Sequence, residues 1–122
     1  MVRHYSQPGF HDAVRLDFEH AQQLRLLEDF RPALRSGVDV DAQRERLVEF
    51  NLSHFQLEEM LMEDRGYPDL EAHAAEHQWI LGLLMACTDD ASIDTCASEL
   101  RRHNGDRDAK LAAFLDGQAG KR

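Results

Sequence analysis

The sequence has little positive charge and no long hydrophobic run, and both shortages exclude whole classes of function. Its 14 lysine and arginine residues are outnumbered by 23 aspartate and glutamate residues, which gives a net charge of −9 at pH 7. Such a chain lacks the basic face that binds the phosphates of nucleic acid. The longest apolar run extends from Trp79 to Cys87, far short of the ~20 residues that span a bilayer. The first ten residues also lack the apolar core of a secretory signal, so we expect a cytoplasmic protein that inserts into no membrane.

Cysteine and proline are also scarce. The sequence contains two cysteines, Cys87 and Cys96, and three prolines. In a reducing compartment a pair of cysteines is most simply explained as core residues, and their spacing does not match the Cys-x-x-Cys pairs of metal sites. We therefore interpret them as small core residues, with a redox-active pair as the alternative.

Helix-forming residues dominate the chain, and turn signals divide it into four segments. The segments cover about residues 13–36, 41–65, 68–87 and 92–116, with Gly37, Gly66 and the sequence TDDAS between them. Short connections favour antiparallel neighbours. The 122 residues are therefore predicted to form one domain, an all-α, antiparallel, up-down-up-down four-helix bundle.

Each predicted helix carries histidine within its apolar stripe, where the core is expected. Residues about one turn apart share a face, and on this basis the inward polar residues are His20, His54, Glu58, His73, His77 and His103. A single histidine on an apolar face is usually a hydrogen-bonded core residue. Five of them on four helices, together with a carboxylate that would be costly to bury alone, favour a bound metal ion. His4 and His11 lie outside this pattern.

Two short motifs suggest other metal proteins. His73-Ala-Ala-Glu76-His77 matches the His-x-x-Glu-His pattern of some zinc peptidases, but the chain leaves little room for a substrate-binding domain. Ferritin-like diiron bundles use Glu-x-x-His pairs, and no histidine of this sequence has a glutamate three residues before it. We therefore disfavour both interpretations.

Three stretches of the sequence, LDFEH ending at His20, HFQLEEM starting at His54 and GYPDLEAHAAEH ending at His77, resemble the hemerythrin family, specifically the bacteriohemerythrins. His103, followed five residues later by Asp108, completes the resemblance, which covers essentially the whole chain. It implies a non-haem diiron site that binds O2 reversibly.

The resemblance also implies how the metal ligands are divided. The histidines would be terminal ligands, three on one iron and two on the other: His73, His77 and His103, and then His20 and His54. Glu58 and Asp108 would bridge the two ions, together with a solvent-derived oxo or hydroxo group. The iron with two imidazoles then has one vacant position, where O2 would enter.

Asp108 does not fit an unbroken helix. It lies five residues beyond His103, about 140° around the helix axis, so a straight segment cannot aim both side chains inward. Asn104-Gly105 is the expected place for a distortion or a break. Asp106 lies closer to the face of His103 and is the alternative bridging ligand.

Three polar residues occur where the resemblance places the O2 pocket. The family commonly has a tryptophan four residues before the last histidine and an isoleucine directly after it, whereas this sequence has Glu99 and Asn104. Gln23 lies one turn beyond His20. We expect a wetter pocket, and therefore faster autoxidation than in a dedicated oxygen carrier.

The implied site offers no obvious nucleophile or general base, so we expect O2 binding for storage, transport or delivery, and no enzyme activity. Oxygen or redox sensing is the main alternative. In that case the chain would be a domain excised from a longer protein, acting on a signalling partner or output domain. Peroxide or nitric oxide handling, with weak oxidase or peroxidase activity, is a third hypothesis.

Removal of a single ligand should reduce the iron content. We expect His77→Ala and Glu58→Ala each to lower the iron of purified protein well below two ions per chain, because each change deletes a ligand that the resemblance implies. A colorimetric chelator assay of iron against protein concentration measures this. Full iron content and an unchanged response to O2 in either variant would show that the ligand assignment is wrong.

Overall fold

Within residues 8–119, five helices build the fold. The computed structural model describes the backbone of residues 8–119 and the side chains of residues 15–117, so the side chains of His4 and His11 lie outside the described part. The helices are α1 (Pro8–Ser36), α2 (Val40–Arg65), α3 (Leu70–Met85), α4 (Asp90–Gly105) and α5 (Arg107–Ala119). No strand occurs within residues 8–119. None of the described helices is both long enough and apolar enough to cross a membrane.

α4 and α5 together form the fourth rod of a bundle, which is broken at Asp106. α1 packs against α2 on one side and against α4 and α5 on the other, while α3 packs against α2 and α4. Connections of three or four residues separate α1 from α2, α2 from α3 and α3 from α4, so the chain reverses at each of them. The predicted all-α four-helix bundle is thus confirmed.

Most helix limits differ from the predicted ones by one to five residues. α1 begins at Pro8, which suits a first helical turn because proline has no N–H to leave unpaired there. α3 begins at Leu70 and not at Pro68, which lies in the preceding turn. The fourth predicted segment is two helices, since one ends at Gly105 and the next begins at Arg107.

Two apolar clusters fill the bundle, one on each side of the predicted histidine layer. The larger cluster is built around fully buried side chains, among them Leu27, Phe30, Leu47, Ile80, Ile93 and Leu100. The smaller cluster contains Leu16, Leu61, Met62, Leu111 and Leu115. Along α1, Leu16 precedes His20 and Leu27 follows it, so the histidine lies between the clusters. Each fully buried side chain of this size contributes about 1.5–3 kcal/mol, and the two clusters together can offset the cost of a polar layer.

Cys87 and Cys96 are buried free thiols in the larger cluster. Burial and the neighbouring Cys87 raise the pKa of the Cys96 thiol to about 12, so this thiol stays protonated at neutral pH. Both observations support the interpretation of the two cysteines as core residues.

Gly66 ends α2 in the left-handed conformation, with φ 68° and ψ 38°. In this position the N–H groups of Gly66 and Tyr67 donate to the carbonyl oxygens of Glu63 (3.3 Å) and Met62 (2.8 Å). These bonds satisfy carbonyl groups that the end of a helix would otherwise leave unpaired. Glycine fits here because it has no Cβ to oppose a positive φ.

Gly66 and Gly82 give a matched pair of stability predictions for the metal-free protein. Gly66→Ala should lower the free energy of unfolding by about 1 kcal/mol, because alanine resists the left-handed conformation. Gly82→Ala should raise it by about 0.5–1 kcal/mol, because Gly82 lies inside α3 and an added Cβ would meet no atom within 4 Å. Urea denaturation followed by circular dichroism measures both. A stabilised Gly66→Ala protein or a destabilised Gly82→Ala protein would contradict these helix assignments.

Candidate metal centre

All seven predicted ligands meet in the layer between the two apolar clusters. The helices supply them in chain order: His20 from α1, His54 and Glu58 from α2, His73 and His77 from α3, His103 from α4 and Asp108 from α5. Six of these residues are buried, and the side chain of His20 remains 16% exposed. The structure therefore brings every one of them together, while their role as metal ligands stays a prediction.

The ligand atoms fall into two groups that share both carboxylates. Within each group the atoms lie within 4.8 Å of one another: Glu58, His73, His77, His103 and Asp108 in the first, and His20, His54, Glu58 and Asp108 in the second. The histidines are divided three to two, in the same way as the resemblance implies. Two cations held side by side would each take one group.

Glu58 lies at the centre of the cluster and presents one oxygen to each group. Its Oε1 lies 2.8 Å from Nε2 of His77 and 3.2 Å from Nε2 of His73. Its Oε2 lies 2.9 Å from Nε2 of His54 and 3.6 Å from Nε2 of His20. A carboxylate with this orientation is placed to bridge two ions.

Asp108 presents its two oxygens to the two groups in the same manner. Its Oδ1 lies 2.8 Å from Nε2 of His73 and 3.1 Å from Nε2 of His103. Its Oδ2 lies 2.8 Å from Nε2 of His20. The second bridging position therefore has a carboxylate from α5.

The break between α4 and α5 explains how His103 and Asp108 both face inward. α4 ends at Gly105, and Asp106, with φ −115° and ψ −74°, joins it to α5. The side chain of Asp106 is 54% exposed and pairs with Lys110 (3.5 Å), so this residue is not the inward carboxylate. The distortion lies one residue beyond the predicted Asn-Gly pair.

Without a cation, the cluster balances its carboxylates with protons. Burial alone would lower the pKa of His20 and His103, but short contacts with Asp108 and Glu58 outweigh burial and raise these pKa values to about 9 and about 10. Burial alone would raise the pKa of both carboxyl groups, but contacts with the histidines lower that of Asp108 to about 2 and that of Glu58 well below its usual range. Metal ions would replace these protons, because imidazole binds metal in its neutral form.

The buried nitrogen and oxygen atoms of the cluster are better placed to bind cations than to hydrogen-bond with one another. Six of them make no well-directed hydrogen bond among the described residues: Nε2 of His20, His54 and His103, Oε2 of Glu58, and both Oδ atoms of Asp108. Separations as short as 2.8 Å occur among these atoms, so it is the angles of these contacts, and not their distances, that are wrong for hydrogen bonds. Nitrogen and oxygen lone pairs that converge in this way suit iron and related transition metals. The residues therefore fit the metal that the resemblance implies.

Three glutamates outside the cluster contact the outer nitrogens of its imidazoles. Nδ1 of His54, His77 and His103 lies 2.8, 2.7 and 2.5 Å from a carboxylate oxygen of Glu19, Glu59 and Glu76, respectively. A neutral ring that donates its Nδ1 proton to such a carboxylate turns the lone pair of Nε2 inward. These glutamates thus select the tautomer that can bind metal.

Sequence reasoning missed these glutamates, although a signal for them exists. Each lies one position from an inward residue: Glu19 before His20, Glu59 after Glu58, and Glu76 before His77. Adjacent residues of a helix point ~100° apart, so such a glutamate faces the neighbouring helix and meets a histidine there. Glu76, the glutamate of the His-x-x-Glu-His motif, contacts His103 on α4 in this way.

A chain of side-chain amides lies one helical turn from His20 and His54. Gln23 is fully buried, and its Nε2 donates to Oδ1 of Asn51 (2.7 Å), which is itself hydrogen-bonded within α2. Nδ2 of Asn104 donates to Oε1 of Gln23 over a long distance (3.5 Å). Oδ1 of Asn104 is buried and accepts no hydrogen bond among the described residues. Polar groups thus border the side of the cluster that has two histidines.

Glu99, the third polar residue expected at the pocket, has a different surrounding. Its side chain is 26% exposed and accepts a hydrogen bond from Nε of Arg102 (2.9 Å), whose side chain is about half exposed. Glu99 thus pairs with Arg102, and among the described residues no hydrogen bond joins it to Gln23 or Asn104. Gln23 and Asn104, the other two polar residues expected there, lie together in the amide chain, and Asn51 joins them.

Comparisons with known proteins indicate a single family. The family model described as the hemerythrin HHE cation binding domain matches residues 11–115. A bacteriohemerythrin of Methylococcus capsulatus is 36% identical over 45 residues, which cover 37% of this chain. The aligned segment spans only 34% of that relative. No solved structure matches the chain significantly.

Proposed function

Since this chain belongs to the hemerythrin family, we propose that it binds O2 reversibly at two iron ions held by the seven-residue cluster. One observation supports this above the others. The two ligand groups share both carboxylates but contain unequal numbers of histidines. One ion would therefore lack a protein ligand that the other has, and that position would be open to a small molecule.

Each residue of the cluster has a part in this proposal. The terminal ligands would be His73, His77 and His103 on one ion, and His20 and His54 on the other. Glu58 and Asp108 would bridge the two ions, because each presents one oxygen to each group. His20 and His54 thus mark the side at which O2 would bind.

The chemistry that the iron pair supplies when bound is the reversible transfer of two electrons to O2. The protein itself holds the ligands and limits the access of water from the two ends of the layer. Glu19, Glu59 and Glu76 fix the imidazole rings, and the two apolar clusters enclose the layer from both ends. Since the titratable groups of the layer serve as ligands or as partners of ligands, we propose binding without enzymatic turnover.

Peroxide or nitric oxide handling is the second candidate, and the amide chain favours it. Gln23 and Asn104 place polar groups beside the two-histidine side, where a dedicated oxygen carrier is expected to be apolar. The unpaired oxygen of Asn104 suits a molecule that can donate a hydrogen bond, such as water or hydrogen peroxide. Steady consumption of peroxide or nitric oxide, clearly above that of free iron, would promote this candidate over reversible O2 binding.

Reversible uptake of O2 tests the leading proposal. Purified protein is loaded with iron, reduced without oxygen, exposed to O2 and then flushed with inert gas while its visible spectrum is recorded. We expect an absorption band that appears with O2 and disappears on flushing, over repeated cycles. A single irreversible oxidation, or firm zinc binding with no response to O2, would contradict the proposal.

The amide chain should shorten the life of the oxygenated protein. Because polar groups admit water and protons to the site, we expect the wild-type protein to autoxidise within hours and Asn104→Ile to slow the reaction several-fold. The decay of the visible band in air gives the rate. Glu99→Gln is the matched control and should leave the rate unchanged, since Glu99 pairs with Arg102 instead. An oxygenated wild-type sample that persists for many hours, or an Asn104→Ile variant that decays at the wild-type rate, would refute this role of the amides.

A further inference from the structure

Glu76 of α3 contacts three side chains on the fourth rod of the bundle. Its Oε1 lies 2.5 Å from Nδ1 of His103 and 3.3 Å from Nε of Arg107. Its Oε2 accepts a hydrogen bond from Nη2 of Arg102 (3.0 Å). The Glu76 side chain is only 12% exposed, so water screens these contacts less than it screens an isolated surface ion pair. The carboxylate thus joins one imidazole to two guanidinium groups.

These contacts lie on both sides of the break between α4 and α5. Arg102 and His103 belong to α4, whereas Arg107 is the first residue of α5. Nη1 of Arg107 also pairs with Asp69, directly before α3 (3.1 Å). Through Glu76 and Asp69, both halves of the broken rod are therefore attached to α3 and the residue before it.

The break makes this attachment important. Glu19 and Glu59 contact imidazoles on helices that run unbroken through the layer, so neither of them also has to hold two helix ends together. His103 and Asp108 lie on separate helices. Their relative direction therefore depends on whatever holds the two helices at the break.

We infer that Glu76 is a positioning residue of the metal centre. It orients the His103 ring and, with Arg107, fixes α5 relative to α4 so that Asp108 reaches the same ions. The inference rests on the metal site of the proposed function, but it requires neither iron nor O2. Loss of the partner of a ligating histidine typically lowers metal affinity about 10- to 100-fold. Glu76 should have an effect of this size although it is not a ligand.

Glu76→Gln tests the inference in the full chain, with Zn²⁺ as a diamagnetic probe. Glutamine keeps an oxygen near the His103 ring but removes the charge that Arg102 and Arg107 share. We expect the zinc affinity, measured by competition with a chromophoric chelator, to fall by about 10-fold or more. We also expect the NMR resonance of the His103 Nδ1 proton to move upfield, because a hydrogen bond to a neutral amide is weaker than one to a carboxylate.

Glu99→Gln is the matched control for Glu76→Gln. Glu99 also accepts a hydrogen bond from Arg102 (2.9 Å), so its loss disturbs the same arginine. We expect wild-type zinc affinity and an unchanged His103 resonance in this control. Wild-type values of both quantities in Glu76→Gln, or an equal loss of affinity in the two variants, would overturn the inference.

Arg107→Gln tests separately whether the contacts at the break position Asp108. It also keeps the inference testable if Glu76→Gln fails to fold. It removes the pairing of α5 with Asp69 and Glu76 but leaves the contact between Glu76 and His103. We expect weaker zinc binding with an unchanged His103 resonance, and wild-type affinity would refute the role of the break. A protein that gives these zinc results but binds no O2 would contradict the proposed function and not this inference.

Discussion

The carboxylate of Glu58 is fully buried, and imidazole nitrogens of His20, His54, His73 and His77 lie within 3.6 Å of its two oxygens. A charge at this depth costs several kcal/mol unless it is balanced at close range. Protons on the imidazoles supply the balance in the metal-free protein, and metal ions supply it after binding. Folding and metal binding are therefore linked at this residue, and the other features of the layer follow from the need to surround it.

Charge alternates outward from Glu58 through the layer. The inner carboxylates of Glu58 and Asp108 are surrounded by imidazoles, and three of the imidazoles contact an outer glutamate in turn. Arginines pair with two of these glutamates: Arg15 with Glu19, and both Arg102 and Arg107 with Glu76. Carboxylates in the layer thus lie beside imidazole or guanidinium groups. The apolar clusters on either side of the layer supply the hydrophobic burial. This separation lets one short layer concentrate the polar groups without interrupting the rest of the core.

Much of this arrangement could be predicted from the sequence, because the period of a helix places inward residues about one turn apart. That period identified His20, His54, Glu58, His73, His77 and His103, and it predicted the four-helix bundle. It could not identify Asp108, because the break at Asp106 changes the direction of the chain; the family resemblance supplied that residue instead.

Contacts between helices were beyond the reach of periodicity. Glu19, Glu59 and Glu76 lie beside inward residues in the sequence, but their partners belong to other helices, so the packing is needed to identify those partners. Glu99 shows the opposite case, since a position expected at the pocket holds a side chain paired with Arg102.

We propose that one buried layer of this protein holds two metal ions between Glu58 and Asp108. A crystal of iron-loaded protein, with diffraction data collected above and below the iron absorption edge, tests it directly. We expect two anomalous iron peaks inside the layer, with Glu58 and Asp108 each bound to both. A single peak, a metal bound outside the layer, or a layer with its imidazoles turned away from any metal would contradict it.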